Sequence, residues 1–198
     1  MKTIITLGII GFLILMLGFS GCNSYNSMVQ MDEGVTAQWK QVEVAYQRRM
    51  DLIPNLVSTV QGVANFEKST LTAVIEARSK ATSVTIDPSK LDEASLKKFQ
   101  EAQGAITSSL SRLMVVAEQY PNLKANQNFT DLMTELEGTE NRISMERRKF
   151  NEAAQDLNTY VRTFPKNIWA GMFGITKRAY FEAAEGSDKA PTVKFDNK

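Results

Sequence analysis

The sequence predicts an all-α protein: an antiparallel bundle of four long helices behind an N-terminal signal or anchor segment. Three observations carry this. Apolar residues recur at steps of three and four from Tyr25 to Phe164, the spacing of a helix with one buried stripe. The rhythm breaks near Pro88, Pro121 and Pro165, where a helix cannot easily continue. Residues 1–20 are apolar apart from a few hydroxyl and glycine positions, and Lys2 is their only charge. We divide the chain into a signal or anchor over 1–21, a helical domain over 22–185 and a polar tail over 186–198.

With 198 residues there is room for one domain with a core, plus an anchor. The net charge of +1 gives no field that would recruit nucleic acid. Histidine is absent, which removes the usual proton shuttle and the commonest metal ligand. Cys22 is the only cysteine, so no internal disulfide or thiolate cluster forms. Carboxylate dimetal sites in bundles pair Glu with histidine, and phosphate loops, nucleophile elbows and zinc spacings are all missing. We expect no catalysis, no metal and no cofactor.

The N-terminal segment reads as a secretory signal or a transmembrane helix. Phe19-Ser20-Gly21-Cys22 resembles a bacterial lipobox, with small residues ahead of the cysteine and Phe19 in place of the usual leucine. The favoured reading is a lipoprotein attached through Cys22; the alternative is an uncleaved span. Under both, Lys2 stays inside and no Lys or Arg recurs before Lys40, which places the domain outside the cytoplasm in a cell envelope.

The first stripe runs Met28, Asp32, Val35, Trp39, Val42, Tyr46, Arg49. Its phase continues through Ile53 and past Pro54 through Leu56, Val60, Val63, Glu67, Thr70, Val74, Ala77 and Ala81. Pro54 inside a helix costs about 3 kcal/mol, and little in a first turn. The unbroken phase favours a kink; matched helix lengths favour a reversal. We expect the reversal, with Asp51 as N-cap and segments 27–50 and 55–82 running in opposite directions. The third helix opens at Asp87-Pro88-Ser89 and carries Leu96, Phe99, Gln103, Ile106, Leu110, Leu113, Ala117 and Tyr120. A polar connection over 122–128 holds Leu123 as its anchor. The fourth helix keeps heptad spacing through Phe129, Met133, Leu136, Glu140, Ile143, Arg147, Phe150, Ala154, Leu157, Val161 and Phe164.

Charged residues on these stripes are the candidate site. Arg49, Glu67, Glu140 and Arg147 form an expected structural polar layer, because unpaired buried charge is very costly. Arg49 is matched with Glu140, and Glu43 or Glu67 with Arg147. The bland alternative puts these groups at stripe edges, reaching water. Arg48, Arg49, Asp51, Pro54 and Asn55 form the expected corner. Phe164, Trp169, Phe173, Tyr180 and Phe181 cap the open end of the bundle, or meet a partner or the lipid interface.

Gln41-Val42-Glu43 and Gln47-Arg48-Arg49-Met50-Asp51-Leu52-Ile53-Pro54-Asn55-Leu56-Val57 resemble the signature of the LemA family. Glu76-Ala77-Arg78, Glu140-Asn141-Arg142-Ile143, Arg147-Arg148-Lys149-Phe150-Asn151, Phe164-Pro165 and Tyr180-Phe181-Glu182 extend the resemblance over nearly the whole chain. It implies a bacterial membrane-attached helical bundle, with its domain outside the cytoplasm and no established activity. The leading expectation is an envelope-anchored interaction or scaffold module, with another envelope protein as partner. The alternative is a sensor or binding module for a small ligand or envelope polymer, using a groove at the Arg48–Asn55 corner. Nucleic acid is not expected, and a homo-oligomer is compatible with either.

Overall fold

A computed structural model describes residues 2–63 and 66–182. It contains helices α1 (Lys2–Gln61), α2 (Lys68–Thr82), α3 (Glu93–Ala117), α4 (Pro121–Lys124), α5 (Gln127–Arg162) and α6 (Lys166–Phe173), with a 3-10 turn at Pro88–Lys90. Among the described residues there is no strand. The expected tail over 186–198 lies outside them.

The reversal expected at Asp51–Pro54 is wrong. α1 runs without interruption for 60 residues and contains Pro54. α1 ends at Gln61 and α2 begins at Lys68, with Glu67 at its N-cap position. The cost of the proline is offset locally. Pro54 lacks the N–H that would bond the carbonyl four residues back, at Met50. Arg78 Nε, on α2, donates to that Met50 oxygen at 3.0 Å. Asp51 is therefore no cap; it is exposed in mid-helix and accepts from Gln47 Nε2 at 2.8 Å. Equal helix lengths fail with it, since α2 has only 15 residues.

α1 packs chiefly on α5, and α2 on α3. α6 lies against both α1 and α5. Asp92 caps α3, its Oδ1 accepting from Ser95 N at 2.8 Å, and this bond holds its carboxyl below the ordinary value. The connection before α5 is partly helical, with Leu123 fully buried and Asn126 capping α5 through Phe129 N.

The core divides in two. A near half gathers Met28, Val35, Trp39, Val42, Phe99, Ile143, Phe150 and Leu157. A far half gathers Ile53, Leu56, Val60, Val74, Ile106, Leu113, Leu123 and Leu136. The near half is aromatic: Trp39 meets the Phe99 and Phe150 rings edge-on at 5.3 and 5.8 Å. Among the described residues no helix is long and apolar enough to cross a membrane, so a transmembrane helix finds no support there.

Candidate interaction site

Between the two halves of the core lies a polar layer built on Arg49. Its side chain is only 2% exposed. Nη1 donates to Glu140 Oε2 at 2.7 Å and to Thr107 Oγ1 at 3.1 Å, and Nη2 to Gln103 Oε1 at 2.6 Å. The guanidinium sits 5.1 Å from the Tyr46 ring centroid. Nε has no partner among the described residues. Three helices thus meet at one cation. Burial raises the Tyr46 pKa; the Arg147 and Arg49 charges and a hydrogen bond from Arg147 oppose it without prevailing.

The other members of the expected layer lie elsewhere. Glu67 is exposed at the head of α2, where it accepts from the Ser69 hydroxyl. It cannot reach Arg147, and Glu43 pairs with Lys40 instead. Arg147 donates to Glu182 O at 2.9 Å and lies 4.7 Å from the Phe181 ring centroid. The charge that α5 buries is Glu146, one residue earlier. Gln38 Nε2 donates to it at 2.7 Å, with Lys149 and Arg142 alongside. Burial works to raise its pKa, but the Gln38 and Lys149 hydrogen bonds and the two cations outweigh this and hold it below the ordinary carboxylate value.

The groove expected at the Arg48–Asn55 corner does not form, because there is no corner. Arg48 is exposed and bridges to Glu135 at 2.8 Å; Asp51 and Asn55 face water. A groove of about 680 Å³ opens instead beside Arg49, along α1, α3 and α5, with Lys97, Gln100, Glu101, Arg147 and Glu182 on its walls. A more apolar one of about 430 Å³ lies on the other side of the Arg49–Glu140 pair, lined by Leu110, Met114, Met133 and Leu136. Among the described residues no group of three or more carboxylates or thiols could hold a metal.

The segment after α6 returns along the bundle as an extended strap. Asn158 Nδ2 donates to Arg178 O at 2.8 Å while Arg178 N donates back to its Oδ1 at 2.9 Å. Asn151 treats Phe181 the same way, at 3.0 and 2.8 Å. The two asparagines are seven helical residues apart, about 10.5 Å at the helical rise, and three extended residues span about 10 Å. The matching periods allow one helix to read both ends of the strap. Phe181 is thereby buried, stacked on Trp39 at 6.0 Å and edge-on to Phe150 at 5.3 Å. Arg178 forms a two-pronged pair with Asp32, at 2.8 and 2.9 Å.

The LemA family model matches residues 38–195, four fifths of the chain. This chain belongs to the LemA family. It is 28% identical over 181 residues to magnetosome protein MamQ 1 of Paramagnetospirillum magneticum, covering 83% of this chain and 66% of that protein. The figures are the same for MamQ of Magnetospirillum gryphiswaldense. Protein LemA of Metamycoplasma hominis is 28% identical over 145 residues, covering 73% of this chain and 62% of that protein. The chain thus spans somewhat under two thirds to about two thirds of the length of these relatives.

The LemA-like motifs converge in space. Arg78 of Glu76-Ala77-Arg78 bonds Met50 inside Arg48–Asn55, and Glu140 meets Arg49. Asn151 holds Phe181 of Tyr180-Phe181-Glu182. Toward the N-terminal end of the LemA-family bundle, α6 packs on α1 around Gly21 and Tyr25, some 20 residues from that helix's start. The Trp169 ring lies where a Cβ on Gly21 would meet it at 3.2 Å, and Tyr25 contacts Phe173 with centroids 4.8 Å apart. Of the expected aromatic segment, Phe181 is core and Trp169 partly buried, while Phe164, Phe173 and Tyr180 are exposed. Cys22 is exposed on α1, one residue beyond Gly21.

Proposed function

We propose that this LemA-family chain is a membrane-attached, non-catalytic scaffold of the bacterial envelope, with its helical domain outside the cytoplasm. The observation that carries the reading is α1. One helix runs without a break from Cys22 to the far end of the core at Gln61, about 60 Å at the helical rise. The arrangement suits holding surfaces at fixed distances from a membrane. Absence of histidine from the chain argues against acid–base catalysis near neutral pH, and the chain is similar to proteins of the magnetosome. Attachment through acylated Cys22, with residues 1–21 removed, fits the small residues before it; the intact mass of membrane-extracted protein tests this. The scaffold reading is tested by photocrosslinkers at Val115 and Ile75, both exposed and far from the N-terminus. In native membranes a scaffold gives one recurrent protein adduct at one face. No recurrent protein adduct at either position would overturn it.

A second reading, a binding module, is favoured by one observation: the buried, incompletely satisfied Arg49 beside a groove of about 680 Å³. Native mass spectrometry of the membrane-extracted protein reads a retained small molecule directly.

A further inference from the structure

The end of the bundle beside Cys22 is built unlike the rest. α6 buries Ala170 and leans Trp169 and Phe173 on α1, yet it leaves large apolar groups uncovered. Phe164 is 76% exposed, Ile168 52%, Met172 69% and Phe173 42%. Ile168 and Met172 are four apart and share one face of α6. Gly174, with φ of +70°, ends the helix and turns the chain back toward the strap.

Within the segment between Asp156 and Glu182 the charge is one-sided. From residue 157 to 181 the chain carries Arg162, Lys166, Lys177 and Arg178 and no acid. Arg178 is engaged with Asp32, and Lys166 lies 3.9 Å from the Tyr160 ring centroid; Arg162 and Lys177 are exposed. A short apolar face rimmed by cations is the pattern of a helix lying in a lipid interface, and aromatic rings settle at that depth.

The position supplies the occupant. α6 touches α1 at Gly21 and Tyr25. Phe19, 84% exposed, is the last large apolar residue of the N-terminal segment, and Cys22 lies between these contacts. Attachment through the apolar segment or through acyl chains on Cys22 brings lipid to this same end. We propose that α6, with Phe164, is a membrane foot: Phe164, Ile168, Met172 and Phe173 insert into the headgroup layer of an anionic bilayer while Arg162, Lys166 and Lys177 meet its phosphates. With the N-terminus this makes two points of contact, which fixes the tilt of the bundle and not merely its distance from the surface. The proposal rests on the membrane-attached reading.

The full chain, reconstituted into phosphatidylethanolamine vesicles containing phosphatidylglycerol, tests it. Trp39 is fully buried in the core and out of reach of lipid, so quenching by acyl-brominated lipid reports surface indoles. In a Trp169→Phe background, which leaves only Trp39, Met172→Trp adds one on the proposed face, and Val115→Trp adds one at the far end. The expected result is blue-shifted, strongly quenched emission from the Met172→Trp indole, none from Val115→Trp, and weaker quenching when phosphatidylglycerol is omitted. In the otherwise native chain, Ile168→Glu with Met172→Glu, both surface changes, lowers quenching of Trp169 while helicity is retained. Protein that floats with the vesicles but shows no quenching at Met172→Trp overturns the foot and leaves membrane attachment standing. Protein that does not float at all overturns the attachment on which it rests.

Discussion

The bond from Arg78 to the Met50 carbonyl should be energetically coupled to Pro54, and a double-mutant cycle measures this. Met50 is only 4% exposed. Its carbonyl has no helical donor, because residue 54 is proline. Arg78→Met keeps much of the apolar stem and removes the donor. It should cost about 1–3 kcal/mol, the penalty of a buried acceptor left unsatisfied. Pro54→Ala supplies the missing N–H and relieves the ring clash. With Arg78 present the carbonyl is already satisfied, so only part of the roughly 3 kcal/mol proline penalty is recovered, about 1–2. In the Pro54→Ala background, Arg78→Met should cost under about 1 kcal/mol, because the helix now serves the carbonyl itself. The coupling is then about 1–2 kcal/mol, read from urea unfolding followed by helical circular dichroism. Losses that add within about 0.5 kcal/mol would mean that Arg78 does not answer the proline, and the account of why α1 continues through residue 54 would fail.

Other outcomes follow from the same geometry. Glu140→Leu leaves the buried Arg49 without its carboxylate, held only by Gln103 and Thr107, and should cost about 3 kcal/mol; Arg49→Leu leaves a carboxylate that is 51% exposed and takes a donor from Gln103 and Thr107, and the double change should recover part of the Glu140→Leu loss. Glu146 has a folded pKa below its unfolded one. Its contribution is therefore complete above the unfolded value, near 4.5, and is lost as pH falls through the lower folded value; Glu146→Gln should flatten the stability–pH curve in that acid window, and an unchanged curve would refute the assignment. Asn151→Leu removes two hydrogen bonds from the strap and should speed amide exchange at Phe181 at least tenfold, with α2 unaffected.

Much of this was legible in the sequence, for identifiable reasons. Met28, Val35, Trp39, Val42 and Tyr46 are buried where the stripe places them, because helix period and burial have one geometric cause. The pairing of Arg49 with Glu140 follows from two opposite charges on facing stripes. Pro54 misled because its penalty is local in sequence but its remedy is not: Arg78 lies on the next helix. Counting four residues back from Pro54 to Met50 would have shown that a donor was required, though not which one. Glu146 was missed for Arg147 because a strict heptad was followed where α5 also buries Thr139 and Asn158, one position off that track. Asn151 and Asn158, seven apart and beside the stripe, carried a visible signal. Their meaning depended on a strap that has no periodicity to read.

The strap has a consequence for the order in which the chain becomes a protein. Residues of the far half of the core end at Leu136, while the near half is not complete until Phe181 arrives between Trp39 and Phe150. Chains grow from the N-terminus at about 5–20 residues per second, so the far half has all its parts several seconds before the near half does. During that interval Trp39 and its neighbours on α1 have no lid, close to the apolar N-terminal residues. A chain that stops short of residue 181 never ends that interval. The C-terminal stretch, which reads as an afterthought to the helices, is the final act of assembly.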